Sequence, residues 1–259
     1  STDGRLVIVA GESHVSPVMK LCSTLPESQR KRIVLIPEPM ARNTAPALAC
    51  ACVYIKQVLG SGRTALVLTS DHIINPLAVF TEDALAADEL ARKDKLVVFG
   101  IPPLRPETGY GYIEAGERVS VQIQTEQQGI SEVEARSALS FREKPDEATA
   151  AAFLEKGIFY WNSGMFGFSV DFMLEEFKRS ARATIEPFLQ LSDPGPEGSR
   201  QQDGIRIVDA WNGLEAAYES VEGISIDYAV AEKCKDTALV IARFEWLDIG
   251  SWDEYARFI

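Results

Sequence analysis

Residues 65–99 have the sequence ALVLTSDHIINPLAVFTEDALAADELARKDKLVVF. The runs at 65–69 and 96–99 are apolar and of strand length, and residues 79–93 between them have the length and spacing of a helix. Apolar runs of this kind are typical of parallel strands that are buried on both faces. The stretch therefore predicts a strand, a helix and a second strand of an α/β sheet.

The same alternation extends toward the N-terminus. Residues 6–10 and 33–36 are further apolar runs, and residues 46–59 have helical length, so the first hundred residues predict a βαβα order. This order is that of a Rossmann-like, doubly wound mixed sheet. After Gly100 the pattern predicts a smaller second lobe. Its segments are an alternating strand at 119–123, a strand ending at 141, a helix over 146–156, a strand at 166–170, a surface loop at 191–204 and a strand over 240–246.

The composition and charge of the chain argue against some classes of binding partner. The chain has 259 residues, of which 46% are hydrophobic, and a formal net charge of -12. An excess of acidic residues repels phosphate backbones and anionic lipids, so we expect neither a nucleic-acid nor a membrane partner. The four cysteines lack zinc-site spacing, and no apolar run approaches the roughly 20 residues of a spanning helix. These features predict a cytoplasmic protein with reduced thiols.

Two acidic side chains follow apolar runs at positions where ligands of α/β sheets bind. Asp71 and His72 follow the run at 65–69, and Asp248 follows the run at 240–246. Alone, Asp71 is also explained as a helix cap and Asp248 as a turn residue. If the two strands are neighbours, the two carboxylates form an oxygen-rich site suited to Mg²⁺ that bridges substrate phosphates.

Two further segments carry residues suited to a sugar phosphate. Lys144 follows the strand that ends at Phe141, and its ammonium can neutralise a phosphate as a point charge, although a lone lysine is more often a solvated surface residue. Gly109 and Tyr110 lie in a glycine-rich turn that permits close approach to a ligand, and a plain hairpin turn explains them equally well.

Seven motifs, taken together, resemble the mannose-1-phosphate guanylyltransferases, including the bifunctional type fused to a phosphomannose isomerase. They occur in the family's order and extend over nearly the whole chain. The motifs are EPMARNTAP at 38–46, SDH at 70–72, PETGYGYI at 106–113, FREKP at 141–145, YWNSGMF at 160–166, SIDYAV at 225–230 with EK at 232–233, and DIGSW at 248–252.

The resemblance implies roles for individual residues. It implies that Asp71 and Asp248 are catalytic ligands of Mg²⁺ and that Lys144 is the catalytic lysine that meets the sugar 1-phosphate. The substrate-binding residues that it implies are Glu38, Arg42, Asn43, Thr44 and Ala45 around the base, Gly109, Tyr110, Glu143 and Asn162 around the hexose, and His72 and Asp227. Asp227 has the alternative of merely beginning the helix that runs to Cys234, and Trp161 is a sugar-stacking residue or part of the core wall.

The implied reaction is the transfer of GMP from GTP to mannose 1-phosphate, which gives GDP-mannose and pyrophosphate with Mg²⁺. The alternatives are a non-catalytic paralogue that binds sugar nucleotides, and a related enzyme with another sugar or base. We expect a single nucleotidyltransferase domain over 1–259, with a nucleotide-binding half at 1–100 and a sugar-binding half at 101–259.

Two features of the family have no counterpart in the sequence. The family's first strand and glycine-rich phosphate loop are missing, so we expect residues before Ser1 in the native protein. The sequence stops soon after Trp252 and includes no isomerase domain, which leaves open whether the native protein has one. The sequence leaves the oligomeric state open, including a homo-oligomer.

Overall fold

A computed structural model describes residues 4–125 and 129–249. The strands are β1 (Leu6–Gly11), β2 (Ile33–Glu38), β3 (Thr64–Val67), β4 (His72–Asn75), β5 (Leu96–Ile101), β6 (Tyr112–Thr125), β7 (Gly129–Arg142), β8 (Phe159–Ser169), β9 (Arg200–Gln202), β10 (Ile205–Ile207), β11 (Thr237–Ile241) and β12 (Glu245–Asp248). The helices are α1 (Val15–Cys22), α2 (Glu27–Arg30), α3 (Thr44–Tyr54), α4 (Leu77–Ala91), α5 (Glu147–Lys156), α6 (Val170–Ser180), α7 (Arg182–Leu189) and α8 (Leu214–Ser220). Across the described ranges, every helix is too short or too polar to cross a lipid bilayer.

The chain divides into two compact units, each assembled from separate stretches. Unit 1 comprises Ser1–Arg63 and Leu174–Lys233, and unit 2 comprises Thr64–Met173 and Cys234–Ile259. The units therefore do not follow the expected halves 1–100 and 101–259. The assignment of nucleotide binding to one half and sugar binding to the other stays a prediction.

Unit 1 contains a four-stranded sheet in the order β1-β2-β10-β9. β2 is parallel to both β1 and β10, and β9 pairs antiparallel with β10. The strands bury apolar side chains such as Leu35, Ile205 and Ile207 against Met19 and Cys22 of α1. Full burial of one such aliphatic side chain stabilises the fold by roughly 1.5–3 kcal/mol, so this cluster holds α1 on the sheet.

Unit 2 contains a six-stranded mixed sheet in the order β3-β8-β5-β11-β7-β6. β5 and β11 are parallel, whereas β8 is antiparallel to both β3 and β5. The core between this sheet and α4 includes Phe99, Val240 and Phe244, with Phe80 of α4 packed against it. A separate antiparallel pair, β4 and β12, lies in the same unit.

The predicted helices and strands lie close to their expected positions in the sequence, but the strands do not pair as predicted. The four apolar runs of the first hundred residues form β1, β2, β3 and β5, and the predicted helices become α3 with a following π-helical turn at Ile55–Leu59 and α4. They do not form a single parallel series, because β3 and β5 are separated by the antiparallel β8.

Three of the predicted segments were wrong in detail. The run at 240–246 is not one strand, because Arg243 leaves the sheet and the chain resumes as β12. The loop predicted at 191–204 includes the short edge strand β9, which is paired with β10. The helix expected from Asp227 to Cys234 is a five-residue π-helical turn that ends at Ala231.

Gly100 provides a test of the packing in the sheet of unit 2. A Cβ at this position would lie 2.5 Å from Leu239 Cδ1 and 2.8 Å from Tyr160 Cβ. We expect Gly100→Ala to lower the free energy of unfolding by about 1–3 kcal/mol, since Leu239 is fully buried and overpacking strains a core. Urea denaturation measures the change.

The matched control is Gly11→Ala, where the added Cβ meets His14 Nδ1 at an ordinary 3.5 Å. Its free energy of unfolding should stay unchanged or rise by up to about 1 kcal/mol. Equal stabilities of the two variants would contradict the packing.

Candidate active site

The β4–β12 pair brings two distant carboxylates together. Asp248, the last residue of β12, pairs in register with His72, the first residue of β4. The amide of Ile249 donates to the Asp71 carbonyl at 2.9 Å, so the hydrogen bonding between the two segments continues one residue past β4 and β12. One side-chain ligand atom from each of Asp71, His72 and Asp248 lies within 4.8 Å of the other two.

The environment of His72 is largely apolar. Its side chain is only 7% exposed, and its ring lies edge-on to Trp246 with 5.0 Å between the centroids. Burial lowers the pKa of His72, while the charges of Asp71 and Asp248 act in the opposite direction. Nε2 is 4.0 Å from Asp71 Oδ1, and Nδ1 is buried without a hydrogen-bond partner in the described part of the chain.

These three side chains fit a divalent cation. Carboxylate oxygens are hard ligands, and a neutral imidazole can join or support such a set. Within residues 4–125 and 129–249, no other group of three or more His, Cys, Asp or Glu side chains meets the same distance criterion. A histidine that ligates a metal normally donates its second ring nitrogen to an acceptor, so the partnerless Nδ1 of His72 favours a supporting role for this side chain.

Two predicted sugar-binding residues, Glu143 and Asn162, lie beside Gly111. The Asn162 amide donates to the Gly111 carbonyl at 2.8 Å, and Asn162 Oδ1 accepts from the Gly164 amide. A Cβ at Gly111 would lie 2.5 Å from Glu143 Oε2 and 3.5 Å from Asn162 Cβ. Only glycine leaves room at Gly111 for the Glu143 carboxylate beside Asn162.

An aromatic group lies in the same unit as this cluster. Tyr110 makes edge contacts with Trp161 and with Trp246, at centroid distances of 5.4 and 5.3 Å. The guanidinium of Arg105 lies 5.6 Å from the centre of the Trp161 ring. Trp161 is buried, which favours its core-wall interpretation, although its indole nitrogen has no hydrogen-bond partner among the residues described.

Glu107 orders the turn that carries Gly109. Its backbone amide donates to the Tyr112 hydroxyl at 2.9 Å, and its Oε1 accepts from the Gly109 amide at 3.2 Å. Burial raises the pKa of Glu107, but the hydrogen bonds from Gly109 and Arg105 outweigh it and hold that pKa below its usual value. The charged Glu107 carboxylate therefore stabilises the turn through these hydrogen bonds.

Lys144 is presented to solvent at the end of β7. Its backbone has a φ of 41°, in the left-handed region that non-glycine residues seldom adopt. Its ammonium lies 4.0 Å from Glu143 Oε1, and its side chain is 65% exposed. The lysine is thus accessible to an anionic ligand and adjacent to one of the predicted sugar-binding residues.

The predicted base loop, residues 38–45, belongs to unit 1. Residues 218–226, which we call the clamp, hold the loop by hydrogen bonds. Arg42 Nε donates to the Tyr218 carbonyl at 3.0 Å, and Thr44 Oγ1 accepts from the Ile226 amide at 2.9 Å. Asn43 has a φ of 68°, and its side chain accepts from the Thr44 amide. Ala45 is buried and its amide donates to a carbonyl of the clamp, so it supports the loop rather than facing a ligand.

Glu38 begins the base loop, and Asp227 directly follows the segment 218–226. Glu38 Oε1 accepts from the Tyr218 hydroxyl at 3.0 Å, and burial raises the pKa of Glu38 despite this bond. Asp227 opens the π-helical turn, and its charge adds to burial in raising the pKa of Glu232.

A pocket of about 730 Å³ in unit 1 is formed by other residues. It is lined by Leu191, Asp193, Glu197 and Trp211, among others, and by none of the predicted site residues. Two carboxylates and no basic side chain line it, which suits a phosphate ligand poorly.

The sequence analysis missed three residues that shape these sites. Tyr218 holds both Glu38 and Arg42, and Trp246 packs on His72. Asp83 is fully buried on α4 and bound to Arg243. One signal was available for Asp83, since it lies three residues after Phe80 and four before Ala87, the spacing of one helix face.

Metal binding by the Asp71–Asp248 pair can be measured directly. We expect Asp71→Asn to weaken Mn²⁺ binding by roughly 100-fold, because loss of a charged oxygen ligand costs at least as much as loss of an outer partner. Electron paramagnetic resonance of free Mn²⁺ during a titration gives the dissociation constant. The exposed Glu89→Gln on α4 removes the same charge and should bind as the unmodified protein does; equal losses in both variants would refute the site.

Comparison with known proteins shows the family of the chain. A family model described as nucleotidyl transferase matches residues 5–259. The chain is 38% identical over 246 residues to Xanthan biosynthesis protein XanB of Xanthomonas campestris, an alignment that covers 95% of this chain and 47% of that protein. It is 35% identical over 251 residues to a mannose-1-phosphate guanylyltransferase of Salmonella montevideo, covering 95% of this chain and 48% of that protein. The chain thus spans about half the length of these curated relatives.

The fold also matches a solved structure. The crystal structure of a protein named mannose-1-phosphate geranyltransferase, from Thermus thermophilus, superposes with a TM-score of 0.71 at 23% identity. The match covers 98% of this chain and 78% of that one. The predicted Rossmann-like α/β class is confirmed by this likeness.

Proposed function

Because the chain belongs to the nucleotidyl transferase family, we propose that it transfers GMP from GTP to α-D-mannose 1-phosphate and so forms GDP-mannose and pyrophosphate. The observation that carries the proposal is the meeting of Asp71 and Asp248 at the β4–β12 pair. The name of the Salmonella relative, mannose-1-phosphate guanylyltransferase, supports the choice of sugar and base.

The reaction needs no covalent intermediate on the protein. An oxygen of mannose 1-phosphate attacks the α-phosphorus of GTP, and the bond from that phosphorus to the bridging oxygen of the β-phosphate breaks, so that pyrophosphate leaves in line. The attacking phosphate oxygen is already a nucleophile, and positioning and charge neutralisation supply the rate enhancement.

Charge neutralisation is assigned to the metal-site residues and a lysine of unit 2. Asp71 and Asp248 would hold Mg²⁺, with His72 supporting them, and the bound ion would offset the negative charge of the phosphoryl oxygens. Lys144 would meet the phosphate of the sugar, since its ammonium is exposed at the end of β7.

Substrate orientation is assigned to the two clusters described above. Glu143 and Asn162, packed around Gly111, would accept and donate hydrogen bonds to the hydroxyl groups of the hexose. The loop from Glu38 to Thr44 would surround the guanine, and its clamp by residues 218–226 would keep it in one conformation. A clamped loop loses little conformational entropy when the base binds.

The activity is tested by pyrophosphate release from the full-length protein with a panel of sugar 1-phosphates and nucleoside triphosphates. We expect turnover with GTP and mannose 1-phosphate in the presence of Mg²⁺, and a loss of about 1,000-fold in Asp248→Asn, since the metal stabilises the transition state by several kcal/mol. Circular dichroism checks that the variant is folded.

Three outcomes would contradict the proposal in different ways. Wild-type turnover in Asp248→Asn would contradict the assignment of Asp248 as a metal ligand. Faster turnover with another sugar or base would change the substrates. Calorimetric binding of GDP-mannose without any turnover would indicate a protein that only binds sugar nucleotides.

The sugar site can be tested at Gly111. We expect Gly111→Ala to raise the KM for mannose 1-phosphate by about tenfold, because the added methyl group displaces the Glu143 carboxylate and misplacement by an ångström is costly. Steady-state kinetics at saturating GTP measure the change. Gly167→Ala on β8 is the control, as its Cβ meets nothing closer than 3.4 Å; an unchanged KM in Gly111→Ala would exclude this sugar site.

A further inference from the structure

The route of the chain from β11 to β12 determines where Asp248 lies. β11 ends at Ile241, and the Ala242 amide still donates to the Gly100 carbonyl. Arg243 and Phe244 then belong to neither ladder, and β12 begins at Glu245. The position of β12 therefore depends on what holds these two residues.

Asp83 of α4 holds Arg243 at two atoms. The Arg243 backbone amide donates to Asp83 Oδ2 at 3.0 Å, and Arg243 Nε donates to Asp83 Oδ1 at 2.7 Å. Arg243 Nη2 also pairs with Glu82 at 2.9 Å. Because one carboxylate binds both the main chain and the side chain of the same residue, it fixes the direction of the chain as well as its position.

Phe244 provides a second attachment to the same helix. It is buried and contacts Phe80 of α4 edge-on, with 5.3 Å between the ring centroids. Both residues that leave the sheet are therefore held by α4, one by charge and the other by apolar packing. Apolar packing is less directional than a hydrogen bond, so it constrains the direction of the main chain less.

The Asp83–Arg243 pair joins a buried carboxylate to a partly exposed guanidinium. The Asp83 side chain is fully buried, while that of Arg243 is 37% exposed. Burial raises the pKa of Asp83, although the hydrogen bonds from Arg243 oppose the rise. Replacement of a buried ion pair by apolar residues is often neutral or stabilising, so such pairs are better explained by the geometry that they specify.

From these contacts we propose that Asp83 is a positioning residue, which fixes Arg243 and thereby sets β12 at the place where Asp248 meets Asp71. This inference rests on the proposed metal-binding role of Asp71 and Asp248. Asp83 is fully buried and bound to Arg243, so it would act through the short segment that leads from Arg243 to Asp248.

The test separates positioning from stability. We would prepare Asp83→Leu/Arg243→Met, which removes the ion pair and keeps the site apolar, and measure both thermal unfolding and Mn²⁺ binding by electron paramagnetic resonance. We expect the melting temperature to stay within about 4 °C and the dissociation constant for Mn²⁺ to rise about tenfold. Pyrophosphate release should need correspondingly more Mg²⁺ and recover at saturating Mg²⁺.

The control is Arg92→Met on the same helix, which removes an exposed pair with Asp88 at 3.0 Å and should leave Mn²⁺ binding unchanged. If the double variant does not fold, Asp83→Asn decides, because it keeps the shape and removes the charge; we expect a loss of Mn²⁺ affinity of roughly threefold to tenfold.

Wild-type Mn²⁺ affinity in a folded variant would overturn the positioning role while leaving the proposed function intact. Absence of both Mn²⁺ binding and turnover in the unmodified protein would instead overturn the proposed function, and the inference with it.

Discussion

The antiparallel pairing of β4 with β12 is the constraint on which the chemistry of unit 2 depends. Four residue pairs join β12, which lies near the C-terminal end of the described chain, to β4 in the segment that carries Asp71 and His72. Two carboxylates placed this close repel each other unless a cation or a donor lies between them. Backbone hydrogen bonds, the packing of Trp246 on His72 and the attachment of Arg243 to α4 together hold a geometry that the charges alone would disfavour.

Both predicted binding regions contain segments that are held by contacts with other residues of the same unit. In unit 1, Tyr218 and its neighbours clamp the loop that begins at Glu38, and the strained Asn43 is stabilised by its own side chain. In unit 2, Glu107 and Gly111 shape the turns that lead to the sugar cluster. Preorganised side chains orient a ligand without an entropic cost at the moment of binding, which is how positioning contributes to catalysis.

The sequence predicts local features well because their causes are local. Apolar runs located β1, β2, β3 and β5, and the helical pattern from Asp146 to Lys156 located α5. Pairing was harder, since whether β3 lies beside β5 or beside β8 depends on side-chain fit across the sheet. The single strand predicted over 240–246 failed for the same reason: the contact that bends the chain at Arg243 comes from Asp83, 160 residues away.

The candidate site shows the same division. Motif resemblance selected Asp71, Asp248, Glu143 and Asn162, and the structure brings the first two together and places the other two around Gly111. Motif resemblance could not select Tyr218 or Asp83, because the role of each depends on a residue that is distant in sequence and contacts it only in the folded chain.

Electrostatics explains why such a protein would need a divalent cation at all. The chain carries a formal net charge of -12, and the proposed substrates, a triphosphate and a sugar phosphate, are themselves polyanions. Asp71 and Asp248 add negative charge at the site itself, which would be unfavourable for phosphate binding if the site stayed empty. A divalent ion between them would cancel their two negative charges, and the exposed ammonium of Lys144 would then supply a net positive charge for the phosphate of the sugar. An acidic protein can thus discriminate against nucleic acids over its surface and still bind phosphates at one metal-dependent point.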